Sequence, residues 1–303
     1  NISGISVGLA KRLSVPDDYF TLSQAVSFQY YDLNNYNTGL FTFGNGSSNN
    51  LAYTLGLSRN NTYTDPIYPT GGSSFSFSAK FTFPYSSVNN VDYSALKTER
   101  QDLVNQLTTD PSNTSASERI AVIDQEKFRW LEYYKFKFKG EWYTALTKKL
   151  VLKPTFEFGF LGAYNNDRGI VPFERFFLGG DGLGTYSLDG RETIALRGYP
   201  NQSLSSQDGG SIYNKYSLEL RYPISLGQQA KVYALAFMEG GYSFNNFRDY
   251  NPFELKRSAG LGVRLFMPQF GLLGIDFGHG FDSLQGETDK HGWETHFIIG
   301  QNF

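Results

Sequence analysis

Hydrophobic and polar residues alternate with a period of two along most of the chain. In the clearest run, apolar side chains occupy every second position from Phe75 to Phe83, and Ser, Lys and Thr stand between them. This alternation is typical of β-strands with one apolar face. It predicts eleven strands, at residues 3–13, 19–32, 50–60, 73–84, 132–146, 149–164, 212–223, 230–244, 257–267, 271–281 and 293–303.

The connections between these strands alternate in length. Short turns that contain Pro or Gly are interleaved with long segments at about 33–49, 85–131, 165–211, 245–256 and 282–292. Short turns at one end and long loops at the other are typical of outer-membrane barrels, and a soluble β-sandwich usually lacks such strict alternation. The pattern therefore predicts an all-β fold, an antiparallel transmembrane β-barrel of the outer-membrane type.

In such a barrel the apolar face meets lipid and the polar face lines the lumen. We therefore expect the Phe, Leu and Tyr side chains of the alternating runs to face outwards, around an interior that is hydrated and has no packed core. Aromatic side chains near strand ends are expected to form belts at the membrane interfaces. The candidates are Tyr133, Trp142, Tyr164, Tyr222 and Tyr242.

The composition excludes several kinds of chemistry. The 303 residues include 27 Phe and 21 Tyr but no Cys, which rules out disulfides, thiolate zinc sites and a Cys nucleophile. A net charge of −2 gives no reason to expect nucleic acid as a partner. The three His residues, His279, His291 and His296, are too few to predict a His-rich metal centre. There is no P-loop, and we expect no cofactor.

Residues 85–131 interrupt the strand pattern. Ser115–Glu118 reads as a capping box, and a weak stripe of Leu residues precedes it, so the segment predicts two short helices in an extracellular loop. Two roles remain open for this insertion, a docking site and a solvated segment that packs on the rim of the barrel.

The loop 165–211 carries the most specific signal. It begins with the aromatic and Gly-rich segment Pro172–Gly180, and the tetrad Leu196–Tyr199 follows later. A loop of this length is usually functional or disordered, and this composition is not typical of disorder. On the next two predicted strands, Glu219 and Glu239 are in phase with the lumen-facing positions.

An aliphatic-Arg-Gly-aromatic tetrad before the fifth strand from the end resembles the hallmark of the Omp85 superfamily. The matching residues are Leu196, Arg197, Gly198 and Tyr199. The resemblance implies that the loop folds into the lumen and that Arg197 meets Glu219 and Glu239 there. The run Ser258–Gly278 is similar to the family's penultimate hairpin, although a Gly-rich tight hairpin of any barrel has the same pattern.

The C-terminal segment Phe297–Phe303 alternates and ends in Phe, which resembles the sorting signal of outer-membrane barrels. The resemblance implies that the last strand is one edge of a lateral gate, and Gly300 matches a Gly at which that strand kinks inwards. The residues expected at the gate are Phe297, Ile299, Gly300 and Phe303.

Aligned on these motifs, the resemblance implies that the eleven strands correspond to the sixth to sixteenth strands of a 16-stranded family barrel. We therefore expect 1–303 to be a partial barrel, since antiparallel barrels normally close with an even number of strands. The first five strands and the periplasmic repeat domains would then be absent from the sequence.

Among the subfamilies, the chain is most similar to the BamA-type assembly factors of the bacterial outer membrane. The resemblance implies a protein that folds and inserts β-barrel clients through a gate between its first and last strands, without nucleotide. The partners expected are unfolded outer-membrane clients, the lipid bilayer and accessory lipoproteins.

Three other functions stay open at this point. One is an Omp85-type secretion pore for a soluble passenger, and another is a passive porin, which gives no reason for the Arg-Gly-Tyr loop. The third is an outer-membrane enzyme, which needs a His beside a nucleophile or acid. His279 alternates with the lipid-facing set, His291 falls in a loop and His296 faces the lumen, so we expect no enzymatic activity.

Overall fold

The computed structural model describes residues 1–35, 43–62, 65–182 and 192–300. Its strands, in chain order, are β1 (Ile2–Arg12), β2 (Phe20–Leu33), β3 (Gly46–Asn60), β4 (Gly71–Thr82), β5 (Tyr134–Ala145), β6 (Val151–Gly162), β7 (Phe176–Leu178), β8 (Glu192–Ile194), β9 (Ile212–Leu226), β10 (Lys231–Phe244), β11 (Lys256–Met267), β12 (Gly271–Ser283) and β13 (Lys290–Gly300). The helices are α1 (Tyr93–Thr109) and α2 (Thr114–Phe128), and single 3₁₀ turns lie at Tyr85–Ser87, Pro172–Glu174 and Phe247–Asp249.

Eleven of these strands form one sheet in which neighbours in the chain are antiparallel neighbours in space. The order is β1-β2-β3-β4-β5-β6-β9-β10-β11-β12-β13, so β1 and β13 are its edges. β7 and β8 form a separate two-stranded parallel sheet within the loop that joins β6 to β9. The prediction of an eleven-stranded antiparallel sheet of the barrel type is confirmed.

The alternation of the sequence places aromatic side chains on the outer face. Phe75 of β4 stacks on Phe138 of β5 with 6.5 Å between ring centroids, and Phe77 stacks on Phe136 at 6.3 Å. Cross-strand aromatic pairs of this kind stabilise neighbouring strands. Lys80, two residues before the end of β4, belongs to the alternate set of positions and points inwards, where its ammonium group donates a hydrogen bond to Glu174.

The prediction that the interior has no packed core is wrong. Phe176, Leu178 and Leu196 of the long loop are fully buried and belong to one apolar cluster with wall residues such as Tyr213. A second cluster includes Tyr233, Leu235 and Phe237, which share the lumen-facing side of β10. The strand pattern could not reveal this core because a distant segment supplies much of it.

The expectation for Tyr133 is also wrong. It is fully buried, and its hydroxyl donates to the Glu174 carboxylate at 2.6 Å, so it faces the lumen. Among the other aromatic residues expected near strand ends, Trp142, Tyr164 and Tyr222 are exposed. Tyr242 is half-buried.

The insertion 85–131 contains the helical hairpin of α1 and α2. Asn113 caps α2 by accepting a hydrogen bond from the Ala116 N–H at 3.0 Å, so the predicted capping box at Ser115 is wrong: the helix begins at Thr114. The two helices are joined by Arg100 and Asp124, which form two hydrogen bonds of 2.7 and 3.0 Å. Neither described helix is long and apolar enough to cross a membrane.

Candidate functional site: a lumen loop held by buried arginines

The loop 165–211 is folded back on itself by its own short sheet. β7 and β8 bring its two halves side by side, and just beyond them Gly180 and Leu196 exchange two backbone hydrogen bonds of 3.1 and 3.0 Å. Leu196 is fully buried in the apolar cluster. This packing fixes the next residue, Arg197, against the inner wall.

The Arg197 side chain lies among three carboxylates of the wall. Its Nη2 donates to Glu219 Oε1 at 2.8 Å and to Glu239 Oε1 at 2.6 Å, and its Nη1 donates to Asp276 Oδ2 at 3.2 Å. The guanidinium carbon lies 3.8 Å from the centroid of the Phe237 ring, within range of a cation–π contact. One side chain of the loop therefore joins β9, β10 and β12.

Two further arginines complete the network. Arg221 donates to Glu219 Oε2 from Nε at 2.9 Å and from Nη2 at 2.5 Å. Arg264 binds both oxygens of Asp276, at 2.6 and 2.7 Å. Paired hydrogen bonds between a guanidinium and a carboxylate are among the strongest that side chains form. With Arg197 and Glu239, three guanidinium groups thus face three carboxylates.

The electrostatics of this network favour fixation of the loop over proton transfer. Burial alone would lower the pKa of the Arg197 guanidinium, but the nearby carboxylates of Glu239 and Glu219 raise it above its ordinary value. Arginine stays charged in proteins, and a buried carboxylate is tolerated only when it is paired. Removal of Arg197 would therefore leave buried negative charge behind it.

Gly198 lies where the loop presses most closely on the barrel wall. Its φ of +86° is a conformation that favours glycine, and a Cβ here would lie 2.8 Å from the Ser258 Cβ. Its N–H donates to His296 Nε2 at 2.8 Å, which connects the loop to β13. A side chain at this position would push the loop off the wall.

The glycines of β12 provide the space for this approach. A Cβ on Gly278 would lie 2.7 Å from the Gly198 nitrogen, and one on Gly280 would lie 2.6 Å from the Gly198 oxygen. Gly278 and Gly280 are therefore explained by loop docking and not by a tight turn.

Tyr199 connects the same stretch of the loop to the far ends of β11 and β12. Its hydroxyl donates to the Arg257 carbonyl at 2.6 Å and accepts a hydrogen bond from the Asp282 N–H at 3.2 Å. The His291 ring stacks on Tyr199 with 5.8 Å between centroids. The prediction that His291 falls in a loop is wrong, since it lies in β13.

A second anchor holds the beginning of the loop on the opposite part of the wall. Glu174 accepts hydrogen bonds from Lys80 at 2.7 Å, from Lys135 at 3.0 Å and from the Tyr133 hydroxyl at 2.6 Å. Burial alone would raise the pKa of the Glu174 carboxyl, but Lys135 and Lys80 lower it to about 2. The loop is thus tied to β4 and β5 at one point and to β9, β10 and β12 at another.

β13 has one open edge within the described residues, because its only neighbour there is β12. The Phe297 N–H donates to the loop carboxylate of Asp181 at 3.2 Å. In an antiparallel pair, the N–H groups of every second residue point to the same side, so the Ile299 N–H also faces the open edge. Gly300 has φ +146° and open space around its Cβ position. Phe303 lies outside the described residues.

Sequence reasoning named Arg197, Glu219 and Glu239, and the structure brings these side chains into contact. It missed Asp276 as the third carboxylate and Arg264 as its partner. The signal was present, because both are charged residues inside Gly-rich strands and both fall in the lumen-facing phase. Glu174, Phe237 and His296 were also missed as contacts of the loop.

Together, the sheet, the buried loop and the arginine network define an outer-membrane type of β-barrel whose lumen holds an anchored loop. The chain belongs to the Omp85 superfamily, since the model of the Omp85 superfamily domain matches residues 1–303. A search of curated proteins gave no match.

Solved structures of other proteins share this fold, and two of them show the extent of the likeness. One is the crystal structure of BamA from Haemophilus ducreyi lacking POTRA domains 1-3, with 16% identity, a TM-score of 0.60 and coverage of 98% of this chain and 54% of that chain. The other is CdiB from Escherichia coli, with 11% identity, a TM-score of 0.54 and coverage of 98% and 44%. The chain therefore spans about half the length of these proteins. The fold implies a place in a bacterial outer membrane.

Proposed function

We propose that this chain is the barrel part of an outer-membrane protein assembly factor, which folds β-barrel clients and inserts them into the lipid at the open edge of β13. The observation that carries the proposal is the fold shared with BamA, in which the lumen loop is anchored to the wall by Arg197, and β13 is the strand at which we place the gate. Phe297 and Ile299 of β13 are more than half exposed on the lipid side, and their N–H groups face away from β12.

An open strand edge is costly beside lipid. Lipid offers no hydrogen bonds to backbone groups, so unpaired N–H and C=O groups favour the addition of another strand. A client strand would pair with β13 by β-augmentation, in which backbone hydrogen bonds supply the affinity. Gly300 has a positive φ, which supports a bend that separates the end of β13 from the barrel wall. In this account, the gate lies between β13 and the first strand of the barrel, and no nucleotide is used.

The proposal includes partners and a location. Clients are unfolded β-barrel proteins, the barrel spans the outer membrane with many strands, and accessory lipoproteins complete an assembly complex. We also propose that the chain is not an enzyme. His296 Nε2 accepts the Gly198 N–H, His291 pairs with Glu294 at 3.0 Å and His279 packs against the exposed Trp293.

The test is client insertion by the full-length protein in liposomes. In Ile299→Pro, the open edge loses one N–H while the pairing with β12 is kept, because Pro is tolerated on the open side of an edge strand. We expect the rate at which a urea-denatured barrel client becomes folded and protease-resistant to fall about tenfold, from the loss of one strand-pairing hydrogen bond of about 1.5 kcal/mol. Ile299→Val, which keeps the N–H, is the matched control. Insertion at the wild-type rate by Ile299→Pro would overturn the proposal.

A secretion pore for a soluble passenger is the second candidate. It is favoured by a lumen cavity of about 580 Å³, lined by charged side chains that include Lys139, Glu157 and Lys215. A pore requires the anchored loop to leave the lumen. Passage of a soluble passenger into the liposomes, with no insertion of barrel clients, would support the pore instead.

A further inference from the structure

Arg168, near the beginning of the lumen loop, is buried at the base of the helical hairpin and takes no part in the two loop anchors described above. Its side chain is only 2% exposed. Its Nε donates to the Lys127 carbonyl at 2.8 Å and its Nη1 donates to Glu132 Oε2 at 2.6 Å, and its Nη2 donates to the Trp130 carbonyl. The last carbonyl groups of a helix lack partners inside the helix, so this guanidinium group caps α2.

Both helices of the hairpin contact this arginine. The guanidinium carbon lies 5.3 Å from the centroid of the Tyr93 ring, which belongs to the first residue of α1, within range of a cation–π contact. Glu132 in turn accepts hydrogen bonds from the N–H and the hydroxyl of Ser86, at 2.7 and 2.6 Å. The ion pair of Arg168 and Glu132 therefore joins the two ends of the insertion to the lumen loop.

The beginning of the loop also packs on the hairpin through apolar side chains. Phe173 of the loop shares a cluster with Phe128, at the end of α2, and with Leu131 beyond it, and all three are buried. Asn165 fixes the turn that presents the arginine, because its Oδ1 accepts the Arg168 N–H at 3.2 Å. The hairpin and the first part of the loop thus form one packed unit.

The other side of the hairpin is fixed to β3. The side-chain amide of Gln125 on α2 accepts the Ser47 N–H at 3.0 Å and donates to the Ser47 carbonyl at 2.6 Å, as a neighbouring strand would. Backbone hydrogen bonds of 2.8 Å run from the Asn49 N–H to the Arg129 carbonyl and from the Leu131 N–H to the Asn49 carbonyl. Because β4 and β5 lie between β3 and β6, the hairpin joins parts of the rim that are three strands apart.

We propose that the α1–α2 hairpin is an extracellular latch for the lumen loop. Arg168 holds the beginning of the loop on the hairpin and Gln125 holds the hairpin on β3, so the loop leaves the lumen only after one of these contacts has opened. The long connections identify this end of the barrel as the extracellular one. The latch goes beyond the proposed function, because it controls whether the loop fills the lumen and needs no client.

The test compares four variants of the full-length protein. Arg168→Ala breaks the loop side of the latch, and Gln125→Ala breaks the side on β3. Lys97→Ala is the control for the first, because it removes an exposed ion pair with Asp167 that also joins the hairpin to the loop. Gln101→Ala is the control for the second, because it removes an exposed amide of α1 that bonds within its own helix.

The first readout is hydrogen exchange in lipid nanodiscs, in peptides that contain β7 or β8 of the loop and in peptides from β10. The second readout is the frequency of ion-conducting openings in planar bilayers. Undocking of the loop breaks the bonds of the latch, so their loss should raise the undocked population and the exchange rate by the same factor.

We expect Arg168→Ala to speed exchange of the loop by at least about tenfold, the factor that corresponds to one lost hydrogen bond to a charged group. Gln125→Ala loses neutral hydrogen bonds and should speed exchange of the loop about fivefold. Conducting openings should become more frequent by similar factors. Exchange in β10 should change less than about twofold in either variant, and both controls should match the wild type.

Unchanged exchange of the loop in Arg168→Ala would overturn the latch, and so would an effect of Arg168→Ala that Gln125→Ala does not share. Equal acceleration in β10 would also overturn it, because the variants would then have lost stability in general. Faster exchange without more frequent openings would overturn the control of the lumen. Client insertion is measured in the same preparations, and a wild type that inserts no client contradicts the proposed function and leaves the latch standing.

Discussion

Arg197→Ala is the most informative change in this molecule, because one side chain joins the loop to three strands. The variant removes all three contacts of the guanidinium with Glu219, Glu239 and Asp276. It also removes the contact with the Phe237 ring. The backbone of the loop keeps its hydrogen bonds to Leu196, so the effect of the side chain can be isolated.

The expected magnitude depends on which carboxylates keep a partner. Glu219 retains Arg221 and Asp276 retains Arg264, each through two hydrogen bonds. Glu239 retains no guanidinium partner and keeps the Ser217 hydroxyl at 3.1 Å, the backbone N–H of residue 197 and the longer contact with Lys215 at 3.6 Å. Breaking a buried pair costs about 3–5 kcal/mol, and since only one of three carboxylates loses its main partner, we expect a loss of about 3 kcal/mol.

The assay is urea unfolding of the full-length barrel in lipid vesicles, followed by heat-modifiable migration and Trp fluorescence. Lys97→Ala is the control, because Lys97 forms an exposed ion pair with Asp167 at 2.9 Å and such pairs contribute less than about 1 kcal/mol. Adding Glu239→Gln to Arg197→Ala should recover part of the loss, since it removes the buried charge that has lost its guanidinium partner. A loss below about 1 kcal/mol in Arg197→Ala would refute the anchoring role.

Two further predictions concern the loop. The pKa of Glu174 is lowered from 4.5 to about 2, so its contribution to stability is complete above pH 4.5 and is lost as the pH falls towards 2. In Glu174→Gln, the free energy of unfolding measured with urea should change with pH by about 3 kcal/mol less across that range than in the wild type. An unchanged pH dependence would contradict the second anchor. Gly198→Ala should cost more than Gly169→Ala, because both have φ near +87° but only Gly198 would place its Cβ against Ser258. The strain alone is worth about 1–3 kcal/mol, and equal losses in the two variants would show that close docking of the loop is unimportant.

The fold could be predicted from the sequence because each strand of a membrane barrel alternates apolar and polar residues. In β4, the alternation of Phe with Ser and Lys fixes which residues face outwards, and it does so without any knowledge of distant segments. The predicted strand ends differ from the observed ones by only a few residues in most strands. Boundaries at loops such as 46–49 are less well defined because polar residues continue the pairing.

The interior could not be predicted in the same way, because long-range contacts determine it. Tyr133, directly before β5, resembles an interfacial aromatic residue, and its contact with Glu174, far away in the chain, helps to explain why it is buried. Arg197 has a recognisable motif, whereas Asp276 has none apart from its phase in the strand. A lumen-facing charge could be matched to its partner only once the loop had been placed in the barrel.

The central claim is that β13 receives a client strand at its open edge, and crosslinking tests this most directly. Because the chain has no native Cys, Ile299→Cys can be paired with a client that carries single cysteines along its last strand. We expect disulfides at alternate client positions, since side chains of a paired strand alternate between two faces. Met238→Cys, on the exposed face of β10, should not crosslink. Crosslinks without periodicity, or equal crosslinking at position 238, would contradict the account.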